Sequence, residues 1–451
     1  MHSRRLILYL LLPLVASGAL PGLASPGMAT LDLHLTSVRA KRDLPMLRRN
    51  ADAAYRIGAM QTVYRAGVPH TDKHGNIRDR YGADSFFPRC LYHAIEGSLR
   101  VIKDAGFNCV HTYEQIGIHD IMSELRSADL QLLKHWPTDT EVRIFARDPH
   151  ILGWYLDEEP THRAFLEMAR TGATGLLQQR YDAYLSRRAT IKAIDPDHPV
   201  LPLESGWIPP GHQEWWERWN TSGDVVAYDH YLLERETPDI GALAERVSLA
   251  VRINRERKPV WLTVQAYAGN RIVLPTPEEL RGMVFTSIVH GATGIILFAY
   301  DSWITRVWDV VGISPDPLPD YDGRGSATPE QVRRSRALWH GAAALNAELE
   351  RLAPRILAPT AGLPYTVHYT GPGKTPRAIR TLLKSHGAGY TLFVSNIERA
   401  AHVARFQFSR RIASVERLGG DGSRTPITPD GSVFRDSIGP FGAGVYEIVF
   451  R

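Results

Sequence analysis

The chain has 451 residues, of which 44% are hydrophobic and 22% charged, proportions that exclude disordered and fibrous classes. Its 53 Lys plus Arg against 48 Asp plus Glu leave a net charge of +5, spread over dispersed arginines and short pairs such as Arg333-Arg334 and Arg410-Arg411. With no basic stripe interleaved with aromatics, a nucleic-acid partner is not expected, and the length suits one large domain plus a smaller one.

The chain opens Met-His-Ser-Arg-Arg and runs into an apolar stretch at 6–20, interrupted by Pro13 and Ser17. A basic start, an apolar run shorter than the ~20 residues of a spanning helix, and small residues at Ala24 and Ala29 describe a signal peptide over 1–29. The expected location is therefore secreted or periplasmic, with no stable membrane insertion after cleavage. Residues 30–84 form a polar, arginine-rich N-terminal extension, with a turn at Gly75-Asn76. The two cysteines, Cys90 and Cys109, are too few for a disulfide framework or a thiolate zinc centre. Export allows them to pair, and two buried free thiols fit the sequence as well.

Over 85–353, short apolar runs alternate with stretches of helical spacing, the mark of parallel strands with helical crossovers. The strand-like runs fall at 86–93, 107–113, 130–136, 151–156, 199–204, 224–231, 259–265 and 291–300. Helical spacing is clearest near 95–105, 139–147, 174–194, 240–256 and 328–352. This count and size match a (β/α)8 TIM barrel of ~250 residues. A doubly wound open sheet would call for a glycine-rich phosphate loop after the first strand, and none is present. From 354 to 451 the pattern becomes short alternating runs at 365–369, 378–383, 390–395, 406–408 and 445–450, which predict an antiparallel β-sandwich. The expected fold class is α/β: a (β/α)8 barrel as catalytic domain with a C-terminal antiparallel β-sandwich domain.

Reactive groups of such barrels lie at the C-terminal ends of the strands. That rule selects Asp157, Glu158 and Glu159 after the fourth run, Glu204, Asp229, Gln265 and Asp301 after the next four. Glycosidic cleavage needs one carboxylic acid to protonate the leaving oxygen and a second carboxylate as nucleophile or base. Repulsion and burial within the three adjacent acids would raise one of them, and Pro160 biases Glu159 towards an extended backbone. Glu159 is the candidate acid and Asp229, in Ala227-Tyr228-Asp229-His230-Tyr231, the second carboxylate. A solvated acidic loop capping the next helix is the bland alternative.

Aromatic side chains gather at the same ends: Tyr92, Tyr113, Trp136, Trp154, Tyr155, Trp207, Tyr228, Tyr231, Tyr267, Tyr300 and Trp303. Their faces suit the apolar faces of sugar rings. The candidate substrate-binding set is Tyr92, His111, Tyr113, Trp154, Asp157, Glu204, Tyr231, Gln265, Tyr300 and Trp303. His93, His111, His135 and His230 lack paired metal-ligand spacing, so no metal and no cofactor are expected. No Gly-x-Ser-x-Gly elbow suggests a serine hydrolase.

Residues 151–160, reading Ile-Leu-Gly-Trp-Tyr-Leu-Asp-Glu-Glu-Pro, together with 86–92, 259–265 and 291–295, resemble clan A glycoside hydrolases over roughly 85–305. The resemblance implies Glu159 as acid/base, and a nucleophilic Glu at the end of strand seven, where this chain carries Gln265. The expectation is hydrolysis of a glycosidic bond in an oligo- or polysaccharide; a catalytically silent carbohydrate-binding barrel is the alternative.

Overall fold

A computed structural model describes residues 86–451 apart from 113–117, 233–238, 255–257, 270–271, 305–308, 317–326, 359, 372–377 and 387–388. The expected signal peptide, the extension at 30–84 and Tyr113 lie outside the described residues.

Eight parallel strands close into a barrel in chain order: β1 (Arg89–Leu91), β2 (Cys109–Thr112), β3 (Gln131–His135), β4 (Ile151–Glu158), β5 (Val200–Ser205), β6 (Val226–His230), β7 (Val260–Gln265) and β8 (Gly294–Phe298). Register pairing of β8 with β1 completes the closure. The crossovers are α1 (Leu99–Asp104), α2 (Ile118–Ala128), α3 (Asp139–Phe145), α4 (Pro160–Thr171), α5 (Leu176–Ile194), α6 (Gln213–Ser222), α7 (Ile240–Ile253) and α8 (Pro277–Val289). A hairpin, β9 (Ser302–Ile304) and β10 (Asp309–Val311), precedes the long α9 (Pro329–Ile356). The helix starts are written in the chain: Thr138, Thr276 and Thr328 each form a reciprocal capping box with Glu141, Glu279 and Gln331. α4, α6 and α8 are additions to the sequence expectation: an acid-rich turn and a Trp-rich stretch mask the first two, and α8 is buried nearly all round, which leaves little amphipathic spacing to read.

Alternation along the strands sorts side chains between two cores. Leu91, Val110, Leu132, Val226 and Leu262 face the helices, whereas Leu133, Leu201, Leu203, Ala227, Trp261 and Ile296 fill the lumen. The Trp261 indole lies where a Cβ on Gly294 would stand, 2.6 Å from its Cδ1, so that strand position accepts only glycine. Cys90 and Cys109, register partners across β1 and β2, form a disulfide inside the barrel. This resolves the open alternative in favour of pairing.

β4 departs from simple alternation. Its register slips against β3 between Ile151 and Gly153, and against β5 between Tyr155 and Asp157. Leu152 and Tyr155 both belong to the luminal core while Trp154 and Leu156 belong to the helix-facing one. After the second slip Glu158 pairs with luminal Leu203, so Glu158, not Asp157, continues the luminal row.

The C-terminal strands are β11 (Tyr365–Thr370), β12 (Ile379–His386), β13 (Gly389–Asn396), β14 (His402–Phe408), β15 (Ile412–Leu418), β16 (Arg424–Ile427), β17 (Val433–Ile438) and β18 (Ala443–Phe450). They form antiparallel sheets of order β11-β14-β17 and β12-β13-β18-β15-β16, closed over a core that includes Leu383, Leu392, Phe406, Phe434 and Tyr446. The sandwich seats on the barrel through α8: Arg281 binds Glu348 on α9 and the Ala443 carbonyl, and a Cβ on Gly282 would stand 2.5 Å from the Phe441 carbonyl oxygen. No helix among the described residues is long and apolar enough to cross a membrane.

Candidate active site

The luminal mouth is built from an aromatic floor and a carboxyl cluster above it. Tyr92, just beyond β1, stacks on His111 of β2 at 3.7 Å between ring centroids. His135 of β3 stacks on Tyr155 of β4 at 4.5 Å, and the Tyr92 and Tyr155 hydroxyls are 3.2 Å apart. Phe298 and Tyr267 extend this floor on the other side, with Tyr231 edge-on to Tyr267 at 5.1 Å. Burial holds His111 and His135 well below the ordinary histidine range, with neighbouring charge acting in the same direction; both rings are neutral at pH 7. Among the described residues no group of three His, Cys, Asp or Glu is placed to hold a metal ion.

The cluster consists of Glu158, Glu159 and Asp229, all almost fully buried. Burial is the largest influence on Glu158; the Arg163 guanidinium opposes it, Glu159 and Asp157 repel, and the carboxyl is pushed up to about 7. Its Oε2 lies 3.1 Å from Arg163 Nη2, and the nearby Tyr92 hydroxyl also favours its charged form. Burial alone would raise Glu159 as well, yet His162, Arg163 and the Ser205 hydroxyl more than offset it and hold this carboxyl below its ordinary value. Asp229 goes the other way: burial, then repulsion from Glu159 and Glu158, raises it well above the usual range. Glu159 and Asp229 are thus pushed in opposite directions, Asp229 towards its protonated form and Glu159 towards its ionised one.

Local backbone explains the convergence. Glu159 precedes α4 with φ 47° and ψ 44°, a left-handed conformation, not the extended one expected from Pro160. That conformation costs a non-glycine residue about 1–2 kcal/mol, and it is held by a 2.6 Å bond from the Glu159 N–H to the Leu203 carbonyl. Pro160 instead starts α4 at its first position, where no N–H is needed. Residues 159, 162 and 163 then share one helix face, which brings His162 Nδ1 to 3.6 Å from Glu159 Oε2. His162 and Arg163 were not among the sequence candidates, although their spacing from Glu159 carried the signal. Trp207, 47% exposed on the rim after β5, packs edge-on to His162 at 4.8 Å.

Several of the expected substrate-binding residues lie elsewhere. Trp154 is buried on the helix side, donating its indole N–H to Asp195 at 2.7 Å, because the first slip in β4 turns it outward. Glu204 is sealed between β5 and α4, accepting the Thr161 hydroxyl and N–H, and burial raises it well above the carboxylate range. Tyr300 packs against Trp339 of α9, away from the lumen. Gln265 does end β7, but its amide N–H donates to the Tyr267 and Val273 carbonyls at 3.3 and 2.9 Å, fixing the following loop. Asp157 faces the charges of Arg163 and Arg180, and burial pushes it up to about 6. Trp303 lies on β9, its side chain outside the described residues; Asp301 is buried beyond β8 with φ 55°. Of the expected set, Tyr92, His111, Tyr231, Glu159 and Asp229 share the mouth.

No protein-family model matches the chain, and no curated protein does. Solved structures with a similar chain path include a β-galactosidase from Bacillus circulans sp. alkalophilus, 10% identical, covering 80% of this chain and 99% of that one at TM-score 0.47. A GH30 endoxylanase from Clostridium papyrosolvens C71 is 11% identical, covering 80% and 95% at TM-score 0.43. A family 39 glycoside hydrolase from Bacteroides cellulosilyticus WH2 is 12% identical, covering 80% and 81% at TM-score 0.43. At these identities and scores, the chemistry has to be read from the side chains themselves.

Proposed function

We propose that this protein hydrolyses a glycosidic bond in an extracytoplasmic oligo- or polysaccharide, with Asp229 and Glu159 as the working carboxyl pair. The observation that carries the reading is a buried carboxyl pair at the C-terminal ends of β4 and β6, one member raised and the other lowered by its surroundings, above an aromatic floor. Such a pair supplies the proton that the leaving oxygen needs and the negative charge that an oxocarbenium-like carbon needs. The electrostatics favour Asp229 as proton donor and Glu159 as the ionised partner, the reverse of the division suggested by position alone. Exposed Trp207 and luminal Tyr92 offer faces for sugar rings. The extracytoplasmic setting rests on the basic and apolar segments at the N-terminus, and a disulfide suits an oxidising compartment.

Turnover on a glycan panel, with reducing ends counted and the anomeric proton of the first product followed by NMR, tests the reading. Release of reducing ends that stops in Asp229→Asn supports it; a panel without turnover sinks it. A second reading, a glycan-binding barrel without catalysis, is favoured by Gln265, which leaves strand seven without a carboxylate. Retention of a glycan with no reducing ends released would select that one.

A further inference from the structure

The outer face of the three-stranded C-terminal sheet carries a row of bases that no carboxylate among the described residues pairs with. Register places His368 of β11 opposite Arg405 of β14, and Arg405 opposite Arg435 of β17. All three belong to the outward set of their strands, since the alternate residues Val367, Ala404, Phe406 and Phe434 enter the sandwich core. With strands about 4.8 Å apart, the row is about 10 Å long. Thr370, Gln407 and Ser437 point outward beside it. None of the outward positions of these strands is a carboxylate: Asp436 turns inward, accepting the Tyr446 hydroxyl at 2.8 Å and pairing with Arg417 at 3.1 Å. Among the described residues Arg405 bonds only to Gln407 of its own strand. Like charges directly opposite across a sheet are destabilising, so the Arg405–Arg435 pair is held against the fold's own interest.

We propose that this face binds an acidic polysaccharide bearing one carboxylate per sugar, a uronic-acid polymer, independently of any catalysis in the barrel. A guanidinium fork matches a planar carboxylate bidentately, and flanking hydroxyl and amide groups suit sugar hydroxyls. Two permanent cations match a sparsely charged polymer. A nucleic acid carries one phosphate per 3.4 Å of each strand and calls for a longer basic run, and single strands call for stacking aromatics, absent from the outward positions. A membrane surface contributes only about 1 kcal/mol per basic residue, too little for two arginines.

Native gel electrophoresis of the intact protein at low ionic strength, in gels containing polygalacturonate, tests the proposal. The wild type is retarded, added salt abolishes the retardation, and Arg405→Gln/Arg435→Gln binds at least about tenfold more weakly at an unchanged melting temperature. Arg405→Lys/Arg435→Lys keeps part of the binding through charge alone. Should the double Gln variant melt early, Arg435→Glu on the edge strand takes its place, with the same loss expected. Undiminished retardation of the folded variants overturns the proposal. So does equal retardation of the wild type by neutral dextran, dextran sulfate, single-stranded DNA or anionic vesicles at matched charge.

Discussion

Arg163 Nη2 lies 3.1 Å from Glu158 Oε2 with the two side chains only 17% and 6% exposed, so the cation that neutralises the carboxyl cluster is itself withdrawn from water. Removing one member of such a pair strands the other, at a cost of about 3–5 kcal/mol. Arg163→Leu is therefore expected to lose stability of that order at pH 8. Glu158 stands above its unfolded value of 4.5 already, and losing Arg163 raises it further, so acidification neutralises the stranded charge and the deficit shrinks towards pH 5. Urea denaturation of variant and wild type at both pH values measures this; an equal deficit at both would refute the pairing.

Glu159→Gln and Asp229→Asn should each lower turnover by about 10²–10⁴, the usual contribution of an acid–base group, with little change in melting temperature. Azide separates their roles. A glycosyl azide of inverted configuration from Glu159→Gly marks Glu159 as nucleophile. One of retained configuration marks it as the acid/base group and reverses the division proposed above. A wild-type rate in either variant removes that residue from the mechanism.

Acid lability should follow from buried neutral histidines. Burial lowers His290 to about 4 from its ordinary 6.5, so between those values the unfolded chain binds the extra proton. The stability from this group is present above pH 6.5 and is lost as pH falls towards 4. At pH 4.5 the loss is about 2–3 kcal/mol. His290 receives or donates a 2.7 Å bond with Ser248, far from the mouth. His290→Gln should thus flatten the acid limb by that amount, read from calorimetric melts at pH 7 and 4.5. An unchanged limb would show that the ring charges freely in the folded state.

The Cys90–Cys109 disulfide spans 19 residues, and closing a loop of that size stabilises by about 3 kcal/mol. Cys90→Ala/Cys109→Ala should unfold at correspondingly lower urea, and reduced wild type should match it. Identical midpoints with and without reductant would show that the bridge contributes nothing.

The barrel was legible because its strands, buried on both faces, read as eight short apolar runs separated by stretches long enough for helical crossovers. The sandwich was legible in part: β15, β16 and β17 were missed because their exposed faces alternate Arg, Glu and Thr with few large apolar residues. At the mouth, position in the chain selected Glu159 and Asp229, which do meet. It selected Glu158 among three adjacent acids without showing that this one faces the lumen, because the slips in β4 reverse which residues face inward, and it could not reveal Arg163, because α4 was hidden behind Pro160. Trp154 was misplaced because of the first slip, and Tyr300, beyond β8, because it packs on Trp339 of α9. An aromatic residue near a strand end is equally suited to the helix layer, and only the register decides.

The second slip of β4 has a consequence for how this barrel can be compared and altered. Three consecutive acids leave the strand in three directions, one towards α5, one into the lumen and one along the rim, and each meets a different proton affinity. Their chemical identities are thus set by a backbone offset, not by their order. An insertion or deletion of one residue near Leu156 would permute all three while leaving the strand count and the acid-rich motif untouched. Alignments that match such barrels motif to motif would pass over the change, and so would a search for conserved letters. Superposition on the slip itself would reveal it.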